Sequence, residues 1–178
     1  MHRYVLAAVA SVAFAATAFG QSPYAGLQTR PIKALSDQQI ADLEAGRGMG
    51  LALPAELNGY PGPSHLLELA DKLGLSEAQR LRVQSLFEAM KAEAVPIGQQ
   101  LIEQEATLDL LFANHTATEA NVAAAVAAVA ETQGKLRAAH LRYHLSTVAL
   151  LRPDQIERYG QLRGYGGPKP VQHQHQHQ

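Results

Sequence analysis

Apolar residues at Val83, Phe87, Met90, Ala94, Ile97, Leu101, Leu108 and Leu111 follow an alternating four-three spacing interrupted only by Gln104. A stripe of that period needs a facing helix. The matching stripe is Val122, Val126, Val129, Gln133, Leu136, His140, Tyr143, Thr147 and Leu150, on a helix expected from Ala117 to about Leu150. At ~1.5 Å per residue that helix spans about 50 Å. Leu141, Leu145 and Val148 form a second apolar line on an adjacent face. Pro96 falls inside the first helix, where it removes an N–H and crowds the carbonyl of Ala92, so a kink or break is expected there.

The flanking punctuation defines shorter elements. Gln21 to Leu35 carries Pro23, Gly26 and Pro31 without a period and reads as a loose arm. Ser36-Asp37-Gln38-Gln39 forms a capping box for a short helix to about Ala45, where hydroxyl and amide side chains satisfy the first free backbone N–H groups. Gly46, Gly48 and Gly50 interrupt it, a short helix is expected within Leu51 to Leu57, and Asn58-Gly59-Tyr60-Pro61-Gly62-Pro63 is a break. Ser64 is expected to cap a helix from His65 to Leu73, ended by Gly74. Asn114 and His115 mark the central turn, and Thr116-Ala117-Thr118-Glu119 reads as a further capping box.

One short motif occurs twice. Leu75-Ser76-Glu77-Ala78-Gln79 opens the first long helix, with Ser76 at the N-cap, Gln79 three residues on and Leu75 as the preceding apolar residue. Leu151-Arg152-Pro153-Asp154-Gln155 opens a last helix to about Leu162. There Pro153 suits the first helical position, but Arg152 cannot accept a hydrogen bond from a backbone N–H. The pattern predicts an all-α fold, a long antiparallel helical hairpin flanked by shorter helices. The Ala-rich stretch Ala123 to Ala130 allows close approach but buries little surface, which a partner subunit would supply.

Met1-His2-Arg3, an uncharged run from Tyr4 to Phe19 and Ala18-Phe19-Gly20 have the form of a cleavable signal peptide over residues 1–20. The run is too short and alanine-rich for a membrane anchor. The remainder divides into an N-terminal arm, 21–63, a hairpin domain, 64–165, and a His/Gln tail, 166–178. With no cysteine there is neither disulfide framework nor lipidated N-terminal Cys. Without Arg3 the chain carries 14 basic against 16 acidic side chains, no footprint for nucleic acid.

A secretory signal, a helical hairpin and the two five-residue motifs at its ends resemble the LTxxQ family of Gram-negative periplasmic proteins, the Spy and CpxP group with its metal-sensing relatives. The resemblance covers about residues 64 to 165. Ser76 replaces the family's threonine in the first motif and Arg152 in the second. The resemblance implies a curved homodimeric cradle in the periplasm, acting in envelope stress as an ATP-independent holdase for unfolded or partly folded envelope proteins. A sensor-kinase periplasmic domain is a further implied partner. No cofactor is required for holding clients.

Leu66, Leu69, Met90 and Phe112, beside Arg80, are candidates for a client-binding surface, set against the plainer role of core and dimer seam. The alternative function is periplasmic sensing, binding or resistance toward Cu, Ni or Zn. His140 and His144 lie one turn apart on one helix face, His65 precedes the first motif, and His173, His175 and His177 alternate with glutamine in the tail. An enzyme has least support. Ser64-His65 reads as a cap and its neighbour, and Glu88, Glu93, Glu103 and Glu105 are scattered along the helix.

Overall fold

The computed structural model of the chain describes residues 22–165; the stretch expected to be a signal peptide and the tail histidines His173, His175 and His177 lie outside the described residues. Among the described residues there is no strand. A 3-10 turn at Leu27–Thr29 is followed by α1 (Asp37–Glu44), α2 (Leu53–Glu56), α3 (Pro63–Glu68), α4 (Glu77–Ala113), α5 (Glu119–Val148) and α6 (Pro153–Leu162). None of these helices is long and apolar enough to cross a membrane.

α4 and α5 form the expected antiparallel hairpin, closed by Asn114 and by His115 in the left-handed conformation. The four-three stripe of α4 turns inward throughout, with Val83, Met90, Ala94 and Leu101 buried. The stripe of α5 is phased differently: Val129, Thr132, Leu136, Ala139, His140, His144 and Thr147 are buried, while Val126 and Gln133 are exposed. Excluding Gln133 keeps a large amide in water, and Thr132 takes the inward position with a smaller polar group. Leu145 of the second line is 58% exposed.

Pro96 does not end α4, which continues through it. Both Pro96 and Ala92 are exposed, so the proline stands on the solvent side of the helix, where a carbonyl left without its donor costs least. Two residues on, Gly98 faces inward, where an added Cβ would stand 2.5 Å from the carbonyl oxygen of Leu43. A glycine in mid-helix therefore lets the end of α1 lie directly on α4.

That contact removes the arm from the loose state expected for it. Ile32, Leu35 and Leu43 join Ala94 and Leu101 of α4 and Val129 and Leu136 of α5 in one buried cluster. At the other end of the hairpin Leu66, Ala70, Leu73, Leu75, Val83 and Tyr159 form a second cluster. Two helix starts and one helix end also differ from expectation. α3 begins at Pro63 without a side-chain cap, because proline presets the backbone and has no N–H to satisfy, so Ser64 is not its cap. α3 also stops at Glu68, and the chain continues to Leu73 as hydrogen-bonded turns. The box of α5 is Thr118 with Asn121, whose amide also donates to the Thr116 carbonyl at 2.9 Å.

Candidate functional site

The two motif copies meet. Ser76 accepts the N–H of Gln79 and Gln79 Oε1 accepts the N–H of Ser76, completing the first box. At the second copy Gln155 Oε1 accepts the Arg152 N–H at 3.0 Å, while the Arg152 side chain pairs with Asp154 and caps nothing. Each glutamine then turns its amide nitrogen to the other. The motif is thus a pair of helix starts clasped together, and Leu75, Leu151 and Pro153 pack or preset that junction.

Beside it, α3, α4, α5 and the loop from Gly46 to Gly50 enclose a cleft of about 650 Å³. Gly46, Met49 and Gly50 all have positive φ, which folds this loop back over α5. For Met49, at φ 43°, that is an uncommon backbone for a side-chain-bearing residue, and the residue lines the cleft. His65 from α3 and His140 and His144 from α5 all line this cleft, with Met90 on its floor.

Glu56, at the end of α2, organises the cleft wall. It is 5% exposed, and its Oε1 accepts the hydroxyls of Tyr159 and, at 3.1 Å, Tyr165, while Oε2 accepts the Gly62 N–H at 3.2 Å. His65 Nδ1 stands 3.4 Å from Oε1, His144 Nδ1 3.8 Å from Oε2, and Arg163 Nε 3.7 Å from Oε1. Burial, followed by the bond to Glu56, pushes the Tyr159 phenol well above its ordinary value, so it remains a donor.

His144 donates its Nδ1 proton to the Tyr60 carbonyl at 2.6 Å, which leaves the Nε2 lone pair free. Its ring rests on Gly62, where an added Cβ would come within 2.8 Å of Cε1 and Nε2. His140 is 2% exposed, and its Nε2 is buried without a hydrogen-bond partner. Burial, and secondarily His144, hold its pKa below the ordinary value against the opposing pull of Glu93. It is therefore a neutral imidazole with an unused nitrogen.

The structure brings together His65, His140 and His144 and leaves the client-surface candidates apart. Leu66 and Met90 are core, so neither can form an exposed apolar surface. Leu69 packs half-buried against the second cluster, Arg80 pairs with Asp71 at 2.7 Å, and Phe112 is 57% exposed at the hairpin tip. Glu56, Tyr159, Tyr165, Gly62 and Met49 belong to the site without having been singled out in the sequence. A lone glutamate among Ala55, Leu57 and Asn58 carries no pattern, and only the fold places it at the crossing of α2, α3, α5 and α6.

Among the described residues no three His, Asp or Glu side chains stand ready-placed around one metal position. No family model, curated protein or solved structure matches this chain.

Proposed function

We propose that this chain is an envelope protein that binds a transition-metal ion, Cu, Ni or Zn, in the histidine cleft. The observation that carries this reading is His65 Nδ1 standing 3.4 Å from Oε1 of one buried carboxylate, Glu56, in a cleft that His140 and His144 also line. Two ligands each ~2.1 Å from a tetrahedral ion stand about 3.4 Å apart. The 3.4 Å separation of His65 Nδ1 from Glu56 Oε1 matches that spacing.

The donor set fits the ion. The unpartnered nitrogen of His140 and the Nε2 of His144 are imidazole nitrogens of the kind that suit Cu, Ni and Zn, and the thioethers of Met49 and Met90 would add softness toward copper. The Tyr60 carbonyl on His144 Nδ1 is the kind of outer partner that fixes the tautomer of a ligating histidine. The signal-like N-terminus supports an envelope location.

The test is calorimetric titration of Cu(II), Ni(II) and Zn(II) into the chain with His173, His175 and His177 replaced by alanine, which leaves the cleft as the source of binding. About one ion per chain is expected, lost in His65→Ala/His144→Ala. Absence of binding in the parent would sink the reading.

A second reading keeps specific support. Leu81, Leu110, Phe112 and Leu145 are exposed apolar side chains among the charges of α4 and α5, as an ATP-independent holdase for non-native envelope proteins requires. Homodimerisation would extend that surface. Suppression of aggregation of a denatured client at near-equal ratio tests it, and Leu110→Ser/Phe112→Ser should weaken the effect.

A further inference from the structure

Glu56 serves two sets of partners at once. One set is the cleft imidazoles, His65 on the Oε1 side and His144 on the Oε2 side. The other is the end of the hairpin domain: Tyr159 inside α6, and Arg163 and Tyr165 beyond it. Oε1 has two lone pairs, and the two phenol hydroxyls fill them. Oε2 has one donor, the Gly62 N–H.

An ion held by His65 Nδ1, 3.4 Å from Oε1, takes Oε1 as its carboxylate ligand. A lone pair given to a metal is withdrawn from a hydroxyl. Resting on the cleft reading above, we infer that ion binding and the docking of the segment Tyr159–Tyr165 compete for Glu56. The cleft is then a switch in which the ion loosens the end of α6. Tyr165 is the partner that yields, because Tyr159 is buried in the second cluster while Tyr165 packs at its edge. Linkage makes the competition reciprocal: whatever the ion takes from the Tyr165 bond, removal of that bond returns to the ion.

This gives the effect a sign that a purely structural role would not produce. Tyr165→Phe removes the hydroxyl and keeps the ring, so it frees one Oε1 lone pair at little cost in packing. Zn(II), which has no redox chemistry of its own, is the probe, titrated into the chain with the tail histidines replaced. Tyr165→Phe is expected to bind it about tenfold more tightly, the worth of one hydrogen bond to a charged group. In the unsubstituted tyrosine background, Zn(II) should speed hydrogen exchange of the amides from Ile156 to Tyr165.

Unchanged or weaker binding in Tyr165→Phe, or unchanged or greater protection of that segment in zinc, overturns the competition and leaves the cleft reading standing, with the ion held away from Oε1. If the parent binds no zinc, the cleft reading falls and the switch falls with it. Hydrogen exchange on the parent needs no substitution, so a Tyr165→Phe chain that misfolds does not rescue the proposal.

Discussion

Gln79 and Gln155 form a reciprocal amide pair across the open end of the hairpin, with Gln79 Nε2 donating to Gln155 Oε1 at 2.9 Å and Gln155 Nε2 returning a bond to Gln79 Oε1 at 3.2 Å. Gln79 also donates to the Leu150 carbonyl at 2.9 Å, while both carbonyl oxygens cap their own helix starts. Residues seventy-six apart in sequence thus share one hydrogen-bond circuit. Gln155→Ala should cost about 2–3 kcal/mol, since it leaves the Arg152 N–H without its acceptor, breaks both bonds of the amide pair and empties a site that is 1% exposed. Urea denaturation measures the loss, and a cost within ~0.5 kcal/mol would mean that water replaces the circuit.

Gly98 and Gly134 occupy helix interiors with opposite surroundings. At Gly98 an added methyl would meet the Leu43 carbonyl at 2.5 Å and force α1 off α4, whereas at Gly134 nothing lies within 4 Å. Gly98→Ala should destabilise by about 1–3 kcal/mol despite the better helix former, because the strain exceeds the propensity gain of ~1 kcal/mol. Gly134→Ala should stabilise by roughly 0.5–1 kcal/mol. Equal effects at the two positions would show that α1 does not lie on α4 in solution.

These comparisons mark what the sequence could and could not reveal. The hairpin, its turn at Asn114–His115 and the boxes at Ser36 and Ser76 were legible, because period and capping are local. Gln133 and Val126 were misplaced by extending a strict heptad along α5, which has to bury a face shared by α4 and the N-terminal segment rather than a two-helix seam. The histidines were noticed, as imidazoles are conspicuous. Glu56 was not, since its importance comes from four elements converging on it and no local spacing encodes that.

A substitution at Gly62 distinguishes the proposed metal site from the clasp. Its backbone, at φ −81°, is open to any residue, but a methyl there would press 2.8 Å from two atoms of the His144 ring. Gly62→Ala should therefore turn the imidazole away, weakening zinc binding by about tenfold while the Gln79–Gln155 pair stays intact. Calorimetry reads the first effect, and side-chain amide resonances in NMR read the second. Undiminished binding would place the ion away from His144.

His140 gives a signature in pH. Folding holds its pKa below 6.5, chiefly by burial, so the unfolded chain takes up a proton near pH 6.5 that the folded chain refuses. The unfolded state then binds more protons, and stability falls as pH drops through about 6.5 toward the lowered folded value. Glu105 acts in the opposite sense: burial raises its pKa above 4.5, so the folded state gains relative stability as that carboxyl protonates. The two contributions overlap in the wild type, and a single pH curve does not separate them. His140→Leu removes only the first, so its urea midpoint should fall less between pH 7.5 and 5.5. Parallel loss in both chains would mean that the folded protein admits a proton to this ring, and with it that the buried nitrogen is not the free donor a metal would meet.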